Sequence, residues 1–276
     1  MQTAQSTMRV APAQAGLTVR PMARTIGAEV SGIDLRQPLT DGQRDGVYQA
    51  LLDWKVIFFR DQDITREQHL AFARQFGGLE VHPFAPAHDG PPEVLPIAHT
   101  PENPGRENLW HSDVTWRLEP SLGSVLRCIK GPQMGGDTLF ADMYAAYDAL
   151  SDRMKTYLDG LTALHDGARI FGPGTPAASH PVIVRHPESG KKLIYVNDAF
   201  TAKINDVPPE ESDAILRFLY AHCAWPEWSF RFRWRPHSIA FWDNRCAHHY
   251  AVPDYWPAVR SGYRVQIDGV VAPVAG

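Results

Sequence analysis

The chain has 276 residues, 44% of them hydrophobic and 21% charged, with a formal net charge of −4. This is enough apolar material for a sizeable core, and it argues against global disorder. The mildly acidic balance makes a poor nucleic-acid binder, and no apolar run approaches the roughly 20 residues that span a bilayer, so neither nucleic acid nor a membrane is expected as a partner.

Residues 1–16 are polar, Ala-rich and aperiodic, and read as a flexible N-terminal tail. Residues 17–276 show no repeat and no interior linker, and read as a single domain. LTVRPM and AEVSGIDL are short strands around a Gly turn. Thr40 or Asp41 can cap a helix to about Trp54, where Val47, Ala50, Leu51 and Trp54 form an apolar stripe. Val56–Phe59 is a continuous apolar run, hence a buried strand. Thr65 with Gln68 makes a capping-box signal for a helix ending near Gly77. The segment from His82 to Asn108 carries seven prolines and two glycines. It reads as a long functional loop with a short strand over Glu93–Ile97. WHSDVTW, SVLRCI and DTLFA follow as strands, then helices over about Met143–Leu150 and Arg153–Leu161. GPGTPAASHP (Gly172–Pro181) is a second loop, and a Pro-started helix covers about Pro208–Cys223. Phe230, Phe232 and Trp234 alternate with Arg231 and Arg233, a half-exposed strand. SIAFWD and YRVQIDGVV complete the set. Many short strands with a few helices predict a mainly β fold, a sandwich or barrel with flanking helices. The three cysteines (Cys128, Cys223, Cys246) form no CxxC pair. With no apolar signal-peptide core at the start, they fit a reducing, cytoplasmic location.

Among twelve histidines, His111 stands out. Strand alternation puts His111 and Asp113 on one face, two thirds of a 2-His-1-carboxylate iron site. The bland alternative is a hydrogen-bonded His–Asp pair. A third ligand can come from His248 or His249 in WDNRCAHHYA. Arg260 and Arg264 follow His249 by eleven and fifteen residues. A keto diacid that chelates iron needs a bidentate cation for its far carboxylate, which Arg supplies better than Lys. The hydroxyl of Thr138 can take another oxygen.

From about Leu17 to about Val271 the sequence resembles the taurine dioxygenase (TauD/TfdA) family. The resemblance is carried by GAEVSGIDL, FFRDQDIT, WHSDVTW, GGDTLFADMYAAYDALS, HPVIVRHPESGKK, YVNDAFTAKI and WDNRCAHHYAVPDY. It implies a double-stranded β-helix (jelly roll) and an Fe(II)- and 2-oxoglutarate-dependent dioxygenase that consumes O2 and releases succinate and CO2. It assigns the metal to His111, Asp113 and His249, with His248 facing away, and 2-oxoglutarate to Thr138 and Arg260. It places substrate against His82, Phe171, Phe200 and Arg264, with Asn108 nearby. Ala85 stands where the taurine enzyme has a tyrosine, and Glu107, beside Asn108, where it has an asparagine. The segment after Phe171 is shorter. Loss of the tyrosine enlarges the pocket and removes one donor, which suits a small organic anion bulkier than taurine: a longer sulfonate, a sulfate ester or an aryloxy carboxylate. A homo-oligomer, dimer or tetramer, is implied as well. Two alternatives stand beside this: a biosynthetic hydroxylase or desaturase on an amino-acid-like substrate, and a zinc hydrolase on the same fold.

Overall fold

The computed structural model describes residues 16–86, 88–100, 103 and 108–276. The expected tail, Gly16 excepted, and Glu107 lie outside the described residues. Strands β1 (Thr18–Pro21) and β2 (Ala28–Ser31) pair antiparallel. Thr40, not Asp41, caps α1 (Asp41–Trp54): its hydroxyl accepts from Gln43 N, and the Gln43 side chain reaches back to Thr40 N. After β3 (Val56–Phe59), Thr65 and Gln68 repeat the box at α2 (Arg66–Arg74). Each box satisfies two N–H groups that a helix start leaves open.

The Pro-rich segment carries β4 (Val94–His99), and β5 (Gly123–Lys130) and β6 (Thr138–Asp142) follow. α3 (Met143–Asp148) and α4 (Asp152–Leu158) are separate helices because Ser151 accepts from Met154 N and starts the chain afresh. Next come β7 (Thr162–Asp166), α5 (Ala168–Phe171), β8 (Ala177–Pro181), β9 (Ile183–Arg185), β10 (Lys192–Ile194), β11 (Thr201–Ile204) and α6 (Pro209–Cys223). The chain ends with β12 (Ser229–Phe232), β13 (Ile239–Asp243), β14 (Ala247–Ala251), β15 (Arg260–Ile267) and β16 (Val274–Ala275).

The fold is mainly β with some helices. Seven strands form one sheet in the order β1-β2-β3-β13-β5-β15-β4, and β12-β6-β14 form a second. Strand alternation decides which side of the large sheet each residue serves. Ile57 and Phe59 pack with Val47 and Leu51 of α1 and Leu70 and Phe72 of α2 on one face. Val56 and Phe58 pack with Phe140, Phe232 and Ala247 of the second sheet on the other. Phe58 lies flat on Phe232 at 3.8 Å between ring centroids. Burying each such side chain contributes roughly 1.5–3 kcal/mol, so the two sheets are held face to face across an apolar layer, with helices outside.

Two expectations are corrected. The second half of Gly172–Pro181 is not loop: it forms β8, which pairs with β7. WHSDVTW is not a strand. Only His111 bridges a neighbour, His249, and the chain then turns at Val114, whose φ of 49° is left-handed. The backbone of Asp113 finds its partners in a side chain instead. Its N–H donates to Asn244 Oδ1 at 2.6 Å, and its carbonyl accepts from Asn244 Nδ2 at 2.8 Å. An amide side chain thus replaces a neighbouring strand, and a β-branched residue is held where such residues rarely sit.

Candidate active site

The bridge between His111 and His249 is reciprocal, with N–H···O contacts of 3.0 and 2.8 Å. It brings two residues 138 positions apart to 4.1 Å between ring centroids. Both Nε2 atoms face Asp113 Oδ1, at 3.9 Å from His111 and 3.8 Å from His249. These separations exceed a hydrogen bond. The three ligand atoms lie within 4.8 Å of one another, and all three residues are buried. Two of the three ligands are held from behind, while His249 Nδ1 is buried without a hydrogen-bond partner. His111 Nδ1 donates to the Leu109 carbonyl at 2.7 Å, which leaves Nε2 as the unprotonated nitrogen. Ser124 Oγ donates to Asp113 Oδ2 at 2.8 Å. His248, next along β14, lies outside the cluster.

Charge favours a cation here. Burial would push the Asp113 carboxyl up, but Arg264, then His249 and His111, outweigh it and hold the group well below the usual carboxylate range. Burial and then the neighbouring His111 hold His249 well below the ordinary imidazole range, so it is neutral. A neutral imidazole and an ionised carboxylate are the forms that bind metal.

β15 carries the arginines. Period two places Arg260, Gly262, Arg264 and Gln266 on one face. At Gly262 a Cβ would stand 2.3 Å from the Arg127 carbonyl, so glycine is needed where β5 bulges against β15. Arg264 Nη1 donates to Asp113 Oδ1 at 2.8 Å. Arg260 Nη2 donates to Thr138 Oγ1 at 3.2 Å, and Trp234 Nε1 donates to the same oxygen at 2.9 Å. With both lone pairs of that hydroxyl taken, its hydrogen is left to donate.

His82, Phe171, Phe200, His111, Asp113 and Arg264 line one cavity of about 630 Å³. Its walls include Phe84, Leu95, Ile97, Leu109 and Ile170. Phe84 stacks on Phe171 at 4.6 Å. Burial, then Arg264, push the His82 pKa down to about 4, which leaves a neutral ring beside the guanidinium. Asn108 is exposed and is not among the lining residues; Asn103 lines the cavity instead. Thr138 and Arg260 pair with each other outside this lining, beside Ile97, which borders both. Sequence reasoning missed Ser124 and Phe84 entirely. It quoted Asn244 only as part of WDN, without its grip on Asp113.

Two imidazoles and a carboxylate are the donor set of the non-heme iron oxygenases that bind Fe(II) on one face and leave positions open. The donors therefore fit that ion. The model of the family described as "Taurine catabolism dioxygenase TauD, TfdA family" matches residues 18–266. An alpha-ketoglutarate-dependent sulfate ester dioxygenase of Pseudomonas putida is 31% identical over 284 residues, covering 96% of this chain and 93% of that protein. The crystal structure of a taurine dioxygenase from Burkholderia xenovorans is similar with a TM-score of 0.86 and 39% identity, covering 94% of this chain and 91% of that one. AAD-2, solved in complex with Mn(II) and N-oxalylglycine, is similar with a TM-score of 0.83 and 30% identity, covering 94% and 99%. The chain belongs to the TauD/TfdA family. It is a 2-oxoglutarate-dependent dioxygenase that uses Fe(II) and O2, which sets aside the zinc hydrolase.

Proposed function

We propose that the enzyme hydroxylates a small organic anion with an apolar body, a sulfonate, sulfate ester or aryloxy carboxylate, and that Arg264 and His82 receive its anionic head. The observation that carries this reading is the cavity itself. Arg264 is the one arginine or lysine among its described lining residues, and aromatic and aliphatic side chains make up most of the rest. Among those residues Asp113 is the one carboxylate, and it already accepts from Arg264. No second carboxylate there answers an ammonium, so the reading favours an anion without an amine over taurine or an amino acid.

His111, Asp113 and His249 would hold Fe(II). The Arg260 guanidinium and the Thr138 hydroxyl would hold the distal carboxylate of 2-oxoglutarate. When bound, the metal and cosubstrate together supply O2 activation, with succinate and CO2 as coproducts. The chain supplies the rest. Ser124 and the Leu109 carbonyl keep two ligands aimed, the stacked rings of Phe84 and Phe171 supply part of the apolar wall, and Arg264 orients the substrate. We read the sheets as a double-stranded β-helix, the jelly roll that the family resemblance implies. Three buried free cysteines fit a cytoplasmic setting. Among the described residues no helix is long and apolar enough to cross a membrane. An assembly of two or four chains belongs to the same reading and is measured by sedimentation.

The test is substrate-stimulated succinate release across sulfonates, sulfate esters, aryloxy acids and amino acids. Stimulation by one or more of the amine-free anions, lost in Arg264→Leu, is expected. Stimulation confined to amino acids, or none by any anion, overturns the proposal.

A further inference from the structure

Resting on the reading of Arg264 as the anion anchor, we infer that Gln266 is a positioning residue for substrate recognition, the last link of a buried relay that begins at Glu80 and fixes how the Arg264 guanidinium faces the cavity. Gln266 sits two residues beyond Arg264 on the same face of β15 and is 3% exposed. Its Oε1 accepts from Arg264 Nη2 at 3.2 Å, and its Nε2 donates to Ser121 Oγ at 3.3 Å. The Ser121 hydroxyl donates to Glu80 Oε1 at 2.7 Å. Arg117 Nη1 donates to the other Glu80 oxygen at 2.8 Å.

The polarity of this relay runs one way. As a carboxylate, Glu80 can only accept, so Ser121 spends its one hydrogen on it. The Ser121 oxygen is then left to accept, and only the NH2 side of the Gln266 amide can meet it. The amide oxygen therefore has to face Arg264. Left to itself, a terminal amide flips between its two ends; here the flip would set NH2 against guanidinium and leave Ser121 Oγ facing an acceptor. Both errors would occur away from water, where an unmatched polar group costs about 1–3 kcal/mol.

The consequence falls on the guanidinium. Arg264 has two holds among the described residues: Asp113 on one Nη and Gln266 on the other. Its Nε is buried and unpartnered. Asp113 Oδ1 is also the atom that faces both ligand histidines. Gln266 is thus the hold on Arg264 that does not compete with the metal. It keeps the plane of the guanidinium set for an anion when Asp113 turns to its other duty. A neutral amide suits this task, because it orients the cation without cancelling the charge that an anionic head needs.

The experiment uses the protein loaded with Mn(II) and N-oxalylglycine, with inorganic sulfate as the probe, titrated calorimetrically. Wild type binds sulfate and Arg264→Leu does not. Gln266→Met keeps the length and volume of the side chain and weakens sulfate about 10-fold, the loss of one hydrogen bond to a charged group. Gln266→Glu, closer still in shape, weakens it further, because a carboxylate beside Arg264 neutralises the anchor. Ser121→Ala, which frees the amide to flip, falls between wild type and Gln266→Met. N-oxalylglycine affinity stays at the wild-type value in all three. A merely structural Gln266 would place the isosteric Glu variant nearest wild type and move both ligands together. Wild-type sulfate affinity in Gln266→Met alongside loss in Arg264→Leu overturns the relay and leaves the anchor standing. Unchanged binding in Arg264→Leu, or no sulfate binding by wild type, overturns the anchor and the inference with it. If Gln266→Met does not fold, the ranking of Gln266→Glu and Ser121→Ala decides.

Discussion

Two buried clusters in this protein have nearly the same composition and opposite fates. His111, Asp113 and His249 form one; His186, Asp243 and Cys246 form the other, and each gathers its potential ligand atoms within 4.8 Å. A carboxylate offers about four lone-pair sites. At Asp243 all four are used: Arg245 N and Nε donate to Oδ1 at 3.0 and 2.8 Å, and Arg245 Nη2 and His186 Nε2 donate to Oδ2 at 2.7 and 3.1 Å. At Asp113 two donors are present, Arg264 and Ser124. Two imidazole Nε2 atoms stand at 3.8 and 3.9 Å with no hydrogen bond to it. The Asp243 cluster is closed by the protein. The Asp113 cluster opens on the cavity that His111 and Asp113 line. Residue type does not separate structural from functional carboxylates here; the count of satisfied lone pairs does.

That contrast can be broken by experiment. The largest effect is expected at the open cluster: His111→Ala or Asp113→Ala lowers substrate-dependent succinate formation by at least about 100-fold, beyond the loss typical of a ligand's supporting residue, with the circular dichroism spectrum unchanged. At the closed cluster the damage falls on stability. Asp243→Asn strips Arg245 of its buried counter-charge and costs about 3–5 kcal/mol in chemical denaturation, while activity per folded molecule is retained. Full activity in the first pair, or lost activity with full stability in the second, would erase the distinction.

Acid sharpens it. Burial pushes the Asp243 carboxyl up, but Arg245 and then His186 hold it far below the ordinary carboxylate range. A depressed folded pKa means that the unfolded chain binds the proton first. The stabilisation is therefore complete above the unfolded value of about 3.9 and is lost as pH falls through the lower folded value. Denaturation midpoints measured from pH 5 to 2 should fall more steeply in wild type than in Asp243→Asn; parallel curves would contradict the assignment. The smallest effect is Ser124→Ala, which frees one oxygen of Asp113 and weakens Mn(II) binding about 10-fold in a metal titration. Unchanged affinity would mean that Ser124 does not orient the ligand.

What the sequence made legible was local. The capping box at Thr65 spans four residues and stands in the structure, and of the two cap candidates for the first helix, Thr40 and Asp41, Thr40 is the one that caps it. The spacing of His111 and Asp113, and the offsets of Arg260 and Arg264 from His249, are likewise short-range patterns, whereas their shared face on β15 was shown by the structure. The reading of WHSDVTW as a strand failed because what holds Asp113 is Asn244, 131 residues away. No periodicity encodes such a partner. Asn108 was placed by counting through a Pro-rich segment, where register is least constrained, and the cavity takes Asn103 instead. β7, β9 and β11 are three to five residues long, too short for alternation to announce them. Gln266 looked like an ordinary strand residue until Ser121 and Glu80 were brought beside it by the fold.

The most direct test is anomalous diffraction from crystals grown with Mn(II) and N-oxalylglycine, with Mn(II) standing in for Fe(II) and N-oxalylglycine for 2-oxoglutarate. One metal peak is expected within bonding distance of His111 Nε2, Asp113 and His249 Nε2, with the far carboxylate of the inhibitor on Arg260 and Thr138. A peak at His186, Asp243 and Cys246, or none between the two histidines, would contradict the account.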